Sequence, residues 1–177
     1  MSKVRIATIW LDGCSGCHMS ILDMDERIVA LAPLIEVVYG PLVDAKEFPE
    51  AVDVAIVEGA VSSDEDLEKL HKVRARSKFV IALGDCAVTS NVPGMRNQYT
   101  VDAIEQCAYI DHAQNNPQIP SQVIPHLLPH ARPVHEHVKV DLFVPGCPPP
   151  ADAIHFVLSE LLAGRTPDLT SKTRFGL

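Results

Sequence analysis

Two thiols stand three residues apart among glycines in the stretch Trp10-Leu11-Asp12-Gly13-Cys14-Ser15-Gly16-Cys17-His18. Thiolates bind metals, carry redox chemistry or act as nucleophiles, and a pair at this spacing can grip one centre from a single turn of chain. Two further cysteines stand singly in similar company: Cys86 in Gly84-Asp85-Cys86-Ala87 and Cys147 in Pro145-Gly146-Cys147-Pro148-Pro149. The fifth, Cys107, has no such neighbours. An odd count in a chain of this composition disfavours a disulfide framework, so metal or redox chemistry is the first reading.

These cysteines can act together only if the fold gathers them, and the runs that precede them say how. Lys3 to Trp10 and Leu34 to Tyr39 are apolar and β-branched, while His18 to Leu31 between them carries Met19, Leu22, Ile28 and Leu31 at helical spacing. Val52 to Val57 is a nearly continuous apolar run of the kind found in a strand covered on both faces, and Glu58-Gly59-Ala60 ends it. Ser63-Asp64-Glu65-Asp66 reads as a capping box, which predicts a helix from about Asp64 to Arg76. Phe79 to Leu83 and Val140 to Val144 are the fourth and fifth strands; Val101 to Tyr109 and Ala151 to Ala163 are further helices. Alternating strands and helices predict an α/β fold with a doubly wound, flavodoxin-like parallel sheet of about five strands and helices on both faces. A length of 177 residues makes residues 1–177 a single domain. Ligands of such sheets sit beyond the carboxyl ends of the strands, so Cys14, Cys17, Cys86 and Cys147 converge on one edge.

Four thiolates suit structural zinc or an iron–sulfur cluster. Structural zinc prefers two paired knuckles, and this chain offers one pair and two single ligands. A Cys-Pro dipeptide follows at Cys147, like the one that ends bacterial ferredoxin runs. Gly13, Gly16 and Gly146 would let the backbone turn tightly and aim amide N–H groups at the sulfurs. The pattern favours one [4Fe–4S] cluster, with a zinc-stabilised binding module as the alternative. FMN could occupy the gap between strands one and three of such a sheet, but the first loop carries cysteines where a phosphate cradle would be, so the sequence does not support it.

The four segments Gly13-Cys14-Ser15-Gly16-Cys17, Val57-Glu58-Gly59-Ala60, Gly84-Asp85-Cys86-Ala87 and Pro145-Gly146-Cys147-Pro148-Pro149 resemble, in order, the signature segments of the small subunit of [NiFe] hydrogenases. The resemblance spans residues 5–150. It implies that Cys14, Cys17, Cys86 and Cys147 hold the cluster nearest the nickel–iron site of a large subunit. Without a twin-arginine leader or ligands for further clusters, the chain is similar to the short type found in cytoplasmic NAD-reducing hydrogenases. That implies an electron relay to a flavin- and iron–sulfur-bearing diaphorase module, with the NiFe centre, FMN and NAD on partner subunits. The residue after the second cysteine is commonly acidic in the family and is His18 here. A related relay subunit of respiratory complex I is the runner-up; it typically has two adjacent cysteines at the first site, where this chain has Cys-Ser-Gly-Cys.

Around these ligands, Gly13, Gly16, His18, Glu58, Gly146 and Pro148 are candidates for a supporting layer. Glu58 could bond loop amides or order the crevice and a subunit contact. Cys107 is expected to fill core space as a small buried hydrophobe, and Trp10 to be a core aromatic at the base of a loop. Residues 111–138 hold five prolines and five histidines, a composition that predicts a surface arm lying on a partner rather than a metal site. A net charge of −8 without a basic stripe argues against nucleic acid, and the longest apolar stretch, Ile28 to Val43, is too short and too interrupted to cross a bilayer.

Overall fold

In the computed structural model, residues 2–176 are described. Five strands form a parallel sheet: β1 (Val4–Trp10), β2 (Ile35–Tyr39), β3 (Val52–Glu58), β5 (Ser77–Leu83) and β7 (Leu142–Val144), in the order β2-β1-β3-β5-β7. The strand β4 (Val61–Ser63) lies outside that sheet and pairs antiparallel with β6 (Leu127–Arg132).

Side chains alternate along each central strand, so one sequence feeds two cores. Ala7, Ile9, Ala55, Val57, Val80 and Ala82 face one layer, where they meet Leu70 and Val73 of α3 (Asp64–Arg76). Ile6, Ile56, Ile81 and Leu83 face the other, where α6 (Ala151–Leu162) supplies Ile154, Val157 and Leu158. Helices cover both faces, as the alternation of elements predicts. The capping box at Ser63 is realised: its hydroxyl accepts from Asp66 N at 3.1 Å and Asp66 Oδ2 accepts from Ser63 N at 3.0 Å.

Several expectations change. The helix expected over 18–31 divides into α1 (Gly16–Leu22) and α2 (Glu26–Leu31), separated by Asp25 at φ 50°. The break turns Met24 inward, where it is 3% exposed; a continuous helix would trade that burial for local hydrogen bonds. The helix over 101–109 becomes α5 (Val101–Gln106) followed by a π turn, Cys107–Asp111. It buries no residue, and Cys107 is exposed rather than part of the core. Trp10 likewise is 45% exposed, its Nε1 donating to Gly13 O, so it is not a core aromatic.

The proline- and histidine-rich segment has two halves. Residues 111–127 are almost wholly exposed. Beyond them β6 docks against β4, and Ala131 and Val134 are completely buried. Asn97 acts as an extra strand partner there, exchanging two 2.8 Å bonds with the backbone of Ala131. Pro129 is tolerated because β6 belongs to a two-stranded ribbon in which not every N–H needs a ladder partner.

Candidate metal centre

The carboxyl ends of β1, β3, β5 and β7 open onto one crevice, and all four strand-end cysteines line it. Cys14 and Cys17 come from the loop after β1 and the first turn of α1; Ser15 between them adopts φ 64°, which turns the chain back on itself. Cys86 lies in α4 (Asp85–Thr89) after β5, and Cys147 follows β7. Cys107 lies outside the crevice.

Glycines allow this approach in ways that the sequence only partly signals. At Gly84, φ is +83° and a Cβ would stand 2.2 Å from Cys17 Sγ, so any side chain would displace that sulfur. Gly13 and Gly59 meet back to back: a Cβ on Gly13 would sit 3.2 Å from Gly59 Cα. This contact joins the loop after β1 to the loop after β3, and Asp12 and Ala60 reinforce it by exchanging backbone bonds at 3.1 and 2.7 Å. Gly16 has no left-handed φ; its lack of a side chain leaves room for Cys14 Sγ, which a Cβ would approach to 3.2 Å.

Two buried carboxylates brace the ligand loops. Glu58, 2% exposed, accepts from His18 N at 2.6 Å and stands 2.7 Å from His18 Nδ1. A carboxylate oxygen can only accept, so Nδ1 carries the proton there. This bond anchors the residue next to Cys17; His18 therefore supports the crevice from behind. The second carboxylate is Asp85, whose Oδ1 accepts from Gly146 N at 2.7 Å. Sequence reasoning does not single out Asp85 or Gly84 as supporting residues; their one visible signal is the Gly-Asp-Cys run at a strand end. Pro148 and Gly146 line the crevice with Cys147.

Burial raises the Cys17 thiol well above its ordinary value, and the negative charges of Glu58 and the other three cysteines push it further up. Cys86 is raised by burial as well, with Cys147, Cys14 and Asp12 adding to the shift and a hydrogen bond from Val92 N opposing it. Asn91 Nδ2 also donates to Cys147 Sγ at 3.5 Å. Thiols crowded in this way resist ionisation until a cation sits among them, and a bound metal reverses that cost. The donor set therefore fits a metal centre. Among the described residues no three Cys, His, Asp or Glu side chains are placed to hold a single ion, whereas the crevice offers about 350 Å³ of empty space, its open mouth included.

Beside the crevice lies an apolar groove of about 390 Å³, bordered by Trp10, His18, Met19, Leu22, Val37 and Leu42. Met19 and Leu42 are strongly exposed. No helix among the described residues is long and apolar enough to cross a membrane.

The family described as NADH ubiquinone oxidoreductase, 20 Kd subunit, matches residues 14–161. The delta subunit of the NAD-reducing hydrogenase HoxS of Cupriavidus necator is 41% identical over 174 residues, covering 96% of this chain and 83% of that protein. A subunit of the F420-non-reducing hydrogenase vhu of Methanocaldococcus jannaschii is 39% identical over 171 residues, covering 96% of this chain, and the chain spans 59% of that relative's length. A crystal structure of an NAD+-reducing [NiFe]-hydrogenase in the H2-reduced state superposes with a TM-score of 0.94 at 38% identity, covering 98% of this chain and 99% of the other. A [NiFeSe]-hydrogenase from Dm. baculatum shares the fold, with a TM-score of 0.62 at 18% identity.

Proposed function

The chain belongs to the NADH ubiquinone oxidoreductase 20 Kd subunit family, and on that premise we propose that it is the electron-transferring small subunit of a [NiFe] hydrogenase. The observation that carries the proposal is the meeting of Cys14, Cys17, Cys86 and Cys147 around one crevice, in which no three of the described Cys, His, Asp or Glu side chains are placed to hold a single ion. A [4Fe–4S] cluster held by these four thiols would supply one-electron redox chemistry. The chain's own residues do the rest. Glu58 and His18 fix the loop of the paired cysteines, Gly84 admits the Cys17 sulfur, and Asn91 Nδ2 donates to the Cys147 sulfur a hydrogen bond that helps set the potential.

Hydrogen chemistry belongs to a large subunit carrying the NiFe centre, since this chain has one Cys-x-x-Cys pair and no second one. Electrons pass from that subunit through this chain to flavin- and iron–sulfur-bearing diaphorase subunits that reduce NAD. The Cupriavidus necator relative is a subunit of an NAD-reducing hydrogenase, which supports that final acceptor. Two of the four ligand cysteines are exposed, so the crevice needs a covering partner. The apolar groove beside it extends the docking face, and a permanent footprint is on the order of 2,000 Å² or more.

The test is anaerobic purification with the associated subunits, followed by iron and sulfide analysis and EPR of the reduced protein. Serine at Cys14, Cys17, Cys86 or Cys147 should lower iron content, and Cys107→Ala should leave it at the wild-type level. A colourless chain containing one zinc and no sulfide would overturn the proposal in favour of a zinc-stabilised module.

A further inference from the structure

We infer that Asp85 is a positioning residue that sets the separation of Cys86 and Cys147 and ties both to the segment 173–176. The inference rests on the cluster reading above. The strands β5 and β7 run parallel with Leu83 opposite Val144, and their ladder continues past the strand ends: Gly84 N donates to Val144 O and Asp85 N to Gly146 O, both at 2.8 Å. The Asp85 side chain returns a bond through Oδ1, the acceptor from Gly146 N. Asp85 and Gly146 thus exchange two bonds across the gap, and a ligand cysteine follows each of them directly in the chain.

The partner loop has little freedom of its own. Gly146 adopts φ +136°, and a Cβ there would lie 2.5 Å from Pro149 Cα. The rung from Asp85 therefore fixes a loop that is already tight. The second carboxylate oxygen, Oδ2, accepts from Gly176 N at 2.8 Å, and Thr173 Oγ1 donates to Pro145 O. One side chain, 1% exposed, consequently joins two ligand loops to a third segment distant in sequence. Asp85 also lines the crevice with the four cysteines, so a carboxylate at this position opposes the arrival of another electron more than a neutral side chain would.

The experiment uses the wild-type complex, an Asp85→Ala variant and an Asp85→Asn variant. It measures iron release to an added chelator and the cluster's reduction potential by EPR-monitored titration. Asp85→Ala should speed iron release by about ten- to a hundredfold, the usual consequence of removing a support behind a metal ligand. Asp85→Asn keeps an acceptor oxygen, so it should release iron more slowly than Asp85→Ala while moving the potential to more positive values. A further variant ending at Lys172 should release iron faster than wild type. An Asp85→Ala variant that releases iron at the wild-type rate overturns the inference. If that variant does not assemble, an Asp85→Asn variant with wild-type potential and release rate overturns it. Failure of the cluster reading looks different: the wild-type chain itself would then carry no iron and sulfide.

Discussion

Replacing Glu58 with Ala removes the acceptor that holds the residue beside Cys17. The carboxylate oxygen faces His18 N at 2.6 Å and His18 Nδ1 at 2.7 Å, and the side chain is almost wholly shielded from water. A hydrogen bond to a charged group contributes roughly 1.5–3 kcal/mol. These two share one oxygen and are not independent, and burying the carboxylate has its own desolvation cost that the mutation returns. Two partly buried donors are left without a partner, which sets the net loss at about 3 kcal/mol. For a chain of this size each kcal/mol lowers the melting temperature by about 2–4 °C, so Glu58→Ala should melt about 6–12 °C below wild type. Glu58→Gln keeps an acceptor oxygen in the same place and should cost about 1 kcal/mol. Thermal unfolding followed by far-UV circular dichroism, with the exposed Asp152→Asn as control, measures the difference. A Glu58→Ala protein melting within about 2 °C of wild type would show that the clamp contributes nothing and that the reasoning from burial and distance is wrong.

Val134 is completely buried although it lies in the proline- and histidine-rich segment, so Val134→Ala should lower stability by about 2 kcal/mol. His126→Ala, on the exposed half, should have a much smaller effect, and urea midpoints compare the two. Burial raises the Asp141 carboxyl, but hydrogen bonds from Arg74 at 2.6 Å and Val80 N at 2.9 Å, with Lys139 nearby, outweigh it and hold the group below its ordinary value. Its folded pKa is therefore lower than its unfolded one, so its stabilisation is present above about pH 4 and is lost as pH falls through the folded value. Asp141→Asn should flatten that acid limb in urea titrations repeated across pH. Trp10 is the single tryptophan and is 45% exposed, so its fluorescence should be readily quenched by acrylamide in the isolated chain. Quenching should fall when the partner subunits bind, and unchanged quenching would remove Trp10 from the docking face.

Much of the architecture can be read from consecutive residues because its causes are local. Alternation sends Ile6 to one layer and Ala7 to the other; Ser63 and Asp66 form the capping box that their spacing predicts; turn residues mark the strand ends. Since parallel strands share their ends, the four crevice cysteines could be grouped from sequence although they lie far apart in it. Tertiary structure alone decided which residues brace them. The Asp85 bonds reach Gly146 and Gly176, and the Glu58 bonds reach His18, across separations that leave no local periodicity. Burial is likewise set by neighbours in space. Val134 and Met24 are drawn inward against the composition or helical pattern of their segments, while Cys107 and Trp10, apolar by type, are left outside. Residue chemistry thus pointed to the four crevice thiols, and packing between distant segments determined how they are held.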